Sequence, residues 1–189
     1  FTPHFMKDYP DNERVSITKK FEAYKAEAAK VCGIEMHQAA EYMLDACFMD
    51  HFKQGFLTLD KGGNHFLCET SYLMYEPGIT HMLYDVMCSE YQPVVAHPER
   101  YEYANKGDYF RWKDKMYEFQ LNLLSLSGAY GPAAAAKANY LLKEGLYEYV
   151  GSDMHNLNNY ERFFPEIKLN KKSMEELERL LEDNKKLIG

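Results

Sequence analysis

Short apolar runs alternate with longer amphipathic segments along the chain, and this pattern predicts strands alternating with helices. The predicted strands cover residues 34–42, 65–70, 92–97, 117–123 and 146–153. The predicted helices cover residues 14–31, 46–54, 79–91, 108–115, 132–145 and 173–187. Because strands separated by helices usually pair in parallel, this order indicates an α/β protein with a parallel sheet, either open or closed into a barrel.

Local signals at the helix ends refine this prediction. Gly145 is expected to end the alanine-rich helix, since glycine is favoured just beyond a helix C-terminus. Ser173 and Glu176 have the spacing of a capping box at the start of the last helix. The first helix is expected to present an apolar face made of Val15, Phe21, Tyr24, Ala28 and Val31.

Polar residues lie at or near the C-terminal ends of the predicted strands. They recur at intervals of 25 to 31 residues, about the length of one strand–helix unit. Barrel enzymes carry their chemistry on this face of the sheet, whereas a doubly wound sheet binds ligands only near its switch point. The recurrence therefore favours a barrel, with a rim formed by Glu41, Glu69, His97, Asn122 and Asp153.

The composition and charge of the chain narrow the class of protein and the kinds of partner. With 46% hydrophobic and 27% charged residues, the chain is expected to form a single globular domain over residues 1–189. A net charge of −7 argues against a nucleic-acid partner but not against an anionic substrate held by bound cations. No run of about 18 apolar residues occurs, so no membrane span is predicted.

The cysteines and the start of the chain bear on its setting. None of the four cysteines forms a CxxC pair, and Cys32 and Cys68 are predicted to be small buried hydrophobic residues. A reduced, cytoplasmic setting is the simplest expectation. The chain opens on Phe1 rather than methionine, and no signal peptide is expected. This opening is typical of the inside of a domain, so we expect an N-terminal segment to be missing.

The strand end at residues 152–155 (SDMH) offers two ligands for a divalent metal. Asp153 and His155 are expected to point to the same side because side chains alternate along a strand. Both residue types are common metal ligands. The alternative is an aspartate that caps the next segment, beside a solvated histidine.

A second motif, AHPER at residues 96–100, follows a strand of the buried type. His97 is expected to leave the core at the strand end, and Arg100 to lie at the barrel mouth, where a guanidinium can bind phosphate bidentately. The alternative is a capped turn with a surface ion pair between Glu99 and Arg100.

Glu41 and Glu69 end apolar strands, where a carboxylate is costly to bury unless it is paired or bound to metal. Ordinary carboxylates on the rim are the alternative. His4 adds an imidazole, which a solvated terminal histidine would explain as well. The mixture of three carboxylates and three imidazoles suits Zn, Mn or Fe in a multinuclear site. The candidate ligands are His4, Glu41, Glu69, His97, Asp153 and His155.

Other polar residues carry weaker expectations. Asn122 and Gln120 either face the site or form hydrogen bonds inside the barrel. Among the remaining histidines, His37 is expected in a strand without a role. Three more are placed on a helix or turn and expected to face solvent, namely His51, His65 and His81.

The motifs follow one order through residues 1 to about 156: TPH (2–4), AEY (40–42), CE (68–69), AHPERY (96–101), QLNL (120–123) with SL (125–126), and GSDMH (151–155). This set resembles the PHP (polymerase and histidinol phosphatase) superfamily. Within that superfamily it looks most like the bacterial manganese-dependent tyrosine phosphatases of capsule and exopolysaccharide loci. HPERY and SDMH are the most specific of these motifs.

The resemblance implies a distorted (βα)7 TIM-like barrel of the PHP type that holds up to three divalent metals. Manganese is the expected metal, with iron or zinc as alternatives. In matching positions, the resemblance implies that Glu41 bridges two metals and Asp153 joins it on the first. It also implies ligands for the other two metals: Glu69 with His97, and His4 with His155.

The resemblance also implies the activity. It makes Arg100, His97 and Asp153 catalytic residues, and it makes Arg100 a ligand of the substrate phosphate. Arg162 would be the second such arginine, although it lies farther beyond SDMH than its counterpart in the family. The expected reaction is in-line hydrolysis by water that bound cations activate. The expected substrate is a protein that carries phosphotyrosine, for example a tyrosine autokinase that controls polysaccharide export.

The chain departs from the family pattern at its front. The family begins with a strand that carries a His-x-His pair, then an Asp-rich turn and a helix, and this sequence contains none of them. If the segment is truly absent, we expect an incomplete metal site and low activity.

Three other functions remain open from sequence. One is a small-molecule phosphatase of the same superfamily, similar to histidinol phosphatase. Another is a metal-dependent amidohydrolase, which would normally carry a bridging lysine at a strand end, and these strand ends carry none. The last is a non-catalytic protein that keeps the PHP-like barrel.

Overall fold

The computed structural model describes residues 1–31 and 33–188, so the prediction that Cys32 is buried lies outside the described residues. The described chain divides into two compact units. The first comprises residues 1–31, 33–70, 77–93 and 188, and the second comprises residues 71–76 and 94–187. Each unit contains parallel strands and the helices that connect them.

In the first unit, strands β1 (His4–Phe5), β2 (Glu41–Met43) and β3 (His65–Glu69) pair in parallel in chain order. Its helices are α1 (Arg14–Ala28), α2 (Phe48–Lys53) and α3 (Ile79–Met87). Aromatic residues fill the core, where Phe56 stacks on Phe66 with ring centroids 4.4 Å apart. Because such rings bury large apolar surfaces, they hold the short strands in register.

In the second unit, strands β4 (Gln92–Ala96), β5 (Glu118–Asn122) and β6 (Tyr149–Gly151) pair in parallel, and β4 enters this unit at Val94. The helices are α4 (Lys106–Asp114), α5 (Pro132–Lys143), α6 (Leu157–Phe163) and α7 (Lys171–Ile188). Short 3-10 helices cover Pro98–Arg100, Leu123–Ser127 and Phe164–Glu166.

The predicted α/β class with parallel strands is confirmed. The described residues form six strands, so the seven strand–helix units of a (βα)7 barrel stay a prediction. Helix α5 ends at Lys143 and Gly145 has a φ of +67°, as its predicted role at the helix end requires. Cys68 is fully buried, also as predicted. No helix in the described part of the chain is both long and apolar enough to cross a lipid bilayer.

The predicted apolar face of α1 is confirmed at Phe21 and wrong at Val15, Tyr24 and Val31. The helix buries Ile17 together with Phe21, whereas Val15, Tyr24 and Val31 are 78%, 61% and 88% exposed. The apolar residues of this segment are spread around the helix, so their spacing does not define one buried stripe. A stripe at positions i and i+4, as for Ile17 and Phe21, is enough to attach the helix.

Two predicted strands are shorter in the structure. Residues 33–40 form no regular strand, so His37 is not in one, although Ala39 and Ala40 are buried. The amide of Ala40 donates to the carbonyl of Leu57, outside any strand ladder, which explains how a loop can be buried here. At the other end, β6 stops at Gly151, so residues 153–155 do not alternate along a strand.

The predicted capping box of the last helix is also wrong. Helix α7 begins at Lys171, and Ser173 lies within its first turn. The side chain of Asn170 accepts a hydrogen bond from the Ser173 amide at 3.0 Å. Asparagine therefore caps this helix, which is reasonable because asparagine and serine are about equally effective N-caps.

Asn184 of α7 attaches that helix to β6. Its side-chain amide donates to the carbonyl of Val150 at 2.7 Å, and its side-chain oxygen accepts from the Val150 amide at 3.2 Å. An Asn184→Ala variant should therefore have a free energy of unfolding lower by about 1–3 kcal/mol. Urea unfolding followed by circular dichroism measures this change. The exposed Glu178→Ala variant on the same helix is the control, expected within about 0.5 kcal/mol of the wild type.

Candidate metal and phosphate sites

Three candidate metal ligands meet in the first unit: His4, Glu41 and Glu69. The Nδ1 atom of His4 lies 3.5 Å from a carboxylate oxygen of Glu41 and 3.5 Å from one of Glu69. One ligand atom from each residue lies within 4.8 Å of the other two. Strand pairing produces this cluster, because His4 of β1 is level with Glu41 of β2 and Glu69 ends β3.

The electrostatics of this cluster fit a cation. Glu41 and Glu69 are only 4% and 3% exposed, and two carboxylates buried together repel each other unless positive charge compensates them. One imidazole with two carboxylates is a donor set that manganese, iron and zinc accept. The chemistry of these residues therefore fits a divalent transition metal.

Neighbouring residues hold His4 in place. The side-chain amide of Asn12 donates to the His4 carbonyl at 2.8 Å. The ring of Tyr9 stacks on the His4 imidazole, with centroids 6.2 Å apart and an interplanar angle of 10°. Asn12 thus restrains the backbone at His4, and Tyr9 lies beside its ring.

Cys68 is adjacent to Glu69 but does not qualify as a nucleophile. Burial, followed by the charges of Glu41 and Glu69, raises the pKa of the Cys68 thiol far above its usual range. The thiolate is the reactive form of cysteine, and this environment disfavours it. Cys68 is therefore a core residue beneath the cluster.

In the second unit, Arg100, Asn122 and Asp153 form a second polar cluster. One carboxylate oxygen of Asp153 accepts hydrogen bonds from a guanidinium nitrogen of Arg100 at 2.8 Å and from the Asn122 side-chain amide at 2.9 Å. The side chains of Arg100 and Asp153 are 18% and 12% exposed, so this ion pair is partly screened from water. Asn122 thus faces this cluster, which was one of its two predicted roles.

His155 lies at the edge of the second cluster. Its Nδ1 atom is 3.4 Å from the other carboxylate oxygen of Asp153 and 3.0 Å from the Asp153 carbonyl oxygen. The imidazole is 65% exposed. Asp153 and His155 are therefore neighbours as predicted, but the loop after β6 brings them together, not the alternation of a strand.

His97 and Asp153 share an unusual backbone conformation. His97 directly follows β4 with a φ of +34°, and Asp153 follows β6 with a φ of +44°. Residues other than glycine rarely adopt this left-handed region, and such strain concentrates at functional sites. The buried His97 side chain and the Asp153 carboxylate are thus oriented by strained turns at the strand ends.

Glu99 is not in a surface ion pair with Arg100, so that alternative is wrong. Glu99 is 1% exposed, and its carboxylate accepts hydrogen bonds from the Asn122 amide at 3.0 Å and the Tyr147 hydroxyl at 2.9 Å. The 3-10 turn over Pro98–Arg100 directs Glu99 into the core and Arg100 towards Asp153. Burial raises the pKa of Glu99, and burial likewise raises the pKa of Tyr147.

The Tyr147 hydroxyl is therefore expected to contribute to stability. A Tyr147→Phe variant leaves one oxygen of the buried Glu99 carboxyl without its donor and should lower the free energy of unfolding by about 1–3 kcal/mol. Tyr24→Phe, on an exposed ring, is the matched control. Guanidinium unfolding of both variants tests this, and equal midpoints would contradict a stabilising role.

Two tyrosines surround Arg100, and sequence analysis did not identify either. The guanidinium carbon lies 4.6 Å from the ring centroid of Tyr72 and 4.2 Å from that of Tyr130. Tyr72 is fixed in turn, because its carbonyl accepts a hydrogen bond from the Glu102 amide at 2.7 Å. An excess of tyrosine, 16 residues in the chain, was the only sequence signal, and it does not identify positions.

The other candidates have separate places. Arg162 is exposed on α6, with its guanidinium 5.0 Å from the ring centroid of Phe163. His51 is half-buried on α2 against Phe5, so its predicted solvent-facing position is wrong. His65 lies on β3 and not on a helix or turn, with its imidazole 3.5 Å from Asp60. His51 packs against aromatic rings of the core, and His65 is the first residue of the strand that the sequence predicts at residues 65–70.

Comparison with known proteins places the chain. A family model described as capsular polysaccharide synthesis, CpsB/CapC, matches residues 1–186. Among curated proteins no significant match is found. A solved chain from the crystal structures of YwqE from Bacillus subtilis and CpsB from Streptococcus pneumoniae, described as unique metal-dependent tyrosine phosphatases, matches with a TM-score of 0.77 and 19% identity. The match covers 99% of this chain and 78% of that chain, and it shows a common fold. The protein belongs to the CpsB/CapC family of capsular polysaccharide synthesis.

Proposed function

We propose that this protein is a metal-dependent phosphatase that hydrolyses phosphotyrosine in a protein substrate of the capsular polysaccharide machinery. The observation that carries the proposal is the buried cluster of His4, Glu41 and Glu69, whose charge and donor types suit a divalent metal. Membership of the CpsB/CapC family and the fold of a metal-dependent tyrosine phosphatase support it.

His4, Glu41 and Glu69 are the first ligands that we assign. His97, Asp153 and His155 are proposed as further ligands, so that up to three metals are held, with manganese preferred and iron or zinc as alternatives. When bound, such metals supply Lewis acidity, which lowers the pKa of water and neutralises charge that develops on phosphoryl oxygens.

Arg100 is proposed to bind the phosphate of the substrate. A guanidinium offers five N–H donors in one plane, and two of them can engage two phosphate oxygens together. Asp153 accepts from one nitrogen of Arg100 at 2.8 Å and so limits rotation of the side chain. Asn122 holds the same carboxylate oxygen at 2.9 Å, which keeps Asp153 in place as phosphate binds and leaves.

Two further assignments extend this proposal. Arg162 is a second candidate for phosphate binding, because its exposed guanidinium on α6 is accessible to a protein substrate. The substrate is proposed to be a tyrosine autokinase that controls polysaccharide export. The reaction is proposed to take place in the cytoplasm, and residues 1–189 are proposed to belong to a single phosphatase domain.

Metal content and substrate choice test the proposal together. Elemental analysis of the purified protein should find manganese, iron or zinc bound. Hydrolysis of a phosphotyrosyl peptide should stop after treatment with EDTA and return when Mn²⁺ is added. Histidinol phosphate, measured in parallel, should be a much poorer substrate. Preferred turnover of histidinol phosphate would make the protein a small-molecule phosphatase, and absence of bound metal and of turnover would make it non-catalytic.

A further inference from the structure

Arg100 lies in an aromatic and acidic surrounding that belongs wholly to the second unit. Its guanidinium carbon is 4.6 Å from the ring centroid of Tyr72 and 4.2 Å from that of Tyr130. Within the described residues, the Arg100 side chain donates a hydrogen bond to Asp153 at 2.8 Å. The guanidinium carbon thus lies over the faces of both tyrosine rings, and Asp153 accepts from one of the guanidinium nitrogens.

This division matters because a guanidinium recognises anions through its edge. Its N–H groups lie in the plane of the group, whereas the face carries no donor and stacks on aromatic rings. Rings that lie against this face leave the remaining edge donors accessible to an oxyanion. A mobile arginine loses rotamer freedom when it binds an anion, and contacts made beforehand reduce that loss.

The two tyrosines come from separate loops that the fold fixes. Tyr72 follows β3 and is tied to the turn after Arg100 by the hydrogen bond from the Glu102 amide. Its ring also lies near His97, with centroids 5.7 Å apart. Tyr130 precedes α5, next to Gly131, whose φ of +91° directs the chain into that helix. Both rings are half-buried, and Tyr72 also packs against the buried Tyr101, with ring centroids 6.1 Å apart.

We propose that Tyr72 and Tyr130 are positioning residues, which hold the guanidinium of Arg100 with its edge open to a phosphate dianion. This inference rests on the proposed function, since it deepens the role given there to Arg100. The rings act through their faces, so phenylalanine should replace either tyrosine without loss. Leucine, which is apolar but smaller and not aromatic, should not replace them, because it has no π-face to attract the cation.

Binding of inorganic phosphate to the metal-loaded full chain, followed by calorimetry, tests the inference. Tyr72→Leu with Tyr130→Leu should raise the dissociation constant about tenfold. The matched pair Tyr72→Phe with Tyr130→Phe should stay within about twofold of the wild type. In an Arg100→Ala background the leucine substitutions should have no further effect, because the residue through which they act is gone.

The outcomes distinguish the phosphate-binding role of Arg100 from the positioning role of Tyr72 and Tyr130. If Arg100→Ala binds phosphate as tightly as the wild type, the assignment of Arg100 in the proposed function fails, and the inference fails with it. If Arg100→Ala weakens binding but the leucine variants do not, the inference alone is overturned. The inference is also overturned if the leucine substitutions weaken phosphate binding equally with and without Arg100, because they would then act independently of Arg100. It is likewise overturned if phenylalanine weakens phosphate binding as much as leucine, because the aromatic ring would then not be the cause.

The wild-type protein provides a readout that does not depend on folding of the leucine variants. Ring currents should move the Arg100 Nε–H proton resonance away from its random-coil position in nuclear magnetic resonance spectra, and the Arg100→Lys spectrum assigns the peak by its absence. A random-coil shift for this proton would contradict fixed stacking of the guanidinium on the two rings.

Discussion

Glu41→Gln is expected to reduce kcat/KM on a phosphotyrosyl peptide by about three orders of magnitude, the largest loss among the single substitutions considered. The replaced carboxylate is only 4% exposed and lies 3.5 Å from the imidazole of His4. On a cation held there as proposed, this charge would act with little screening by water. Glutamine keeps the shape of the side chain and an oxygen, so the loss reports the missing charge.

Elemental analysis, kinetics with added Mn²⁺ and thermal unfolding of the same preparation test this prediction. Bound metal should fall together with activity, while the variant remains folded because one of two repelling carboxylates is gone. Glu22→Gln, an exposed glutamate on α1, should keep both metal and activity. Full activity in Glu41→Gln would remove Glu41 from the metal site.

The second large effect is expected from Arg100→Lys, with a loss of about 10²-fold in kcat/KM. Lysine keeps the positive charge but has no planar fork, so it cannot bind two phosphate oxygens in one geometry. It also loses stacking on Tyr72 and Tyr130, whose centroids lie 4.6 and 4.2 Å from the guanidinium carbon. Steady-state kinetics of the peptide and competitive inhibition by inorganic phosphate measure the effect.

Two controls accompany Arg100→Lys. Arg111→Lys makes the same change on α4, where the arginine pairs with Asp108, and should leave kinetics unchanged. Metal content of Arg100→Lys should equal that of the wild type, because the charge beside Asp153 is preserved. If kcat/KM falls less than twofold, Arg100 is not the residue that orients the phosphate.

Part of the candidate site follows from sequence by a simple physical rule. Glu69 ends β3 as predicted, and parallel strands bring such ends to one edge of a sheet. Glu41 was also predicted to end its strand, but it begins β2 and reaches the cluster through its pairing with His4 of β1. By contrast, β1 is only two residues long, so no periodicity could identify it. The position of His4 was predicted from the TPH motif and not from a strand pattern.

The rest depends on contacts between residues distant in sequence. Glu99 and Arg100 are adjacent with opposite charges, which suggests an ion pair, yet a 3-10 turn sends one inward and the other to Asp153. Tyr72 and Tyr130 reach Arg100 from loops, whose conformations are set by turns and packing beyond any local pattern. Such sites are found by following hydrogen bonds and ring contacts through the fold.

The left-handed turns at His97 and Asp153 imply a conflict between stability and activity. An L-residue in this region is less stable than glycine there by about 1 kcal/mol, so Asp153→Gly could relieve strain while removing the carboxylate that orients Arg100. A library of variants selected only for heat resistance should accumulate glycine or asparagine at Asp153, whereas glycine at the buried His97 would leave a cavity whose cost exceeds the strain it relieves. Selection for survival of the fold alone would then act against the carboxylate that Arg100 contacts, whereas selection for the proposed reaction would act to keep it.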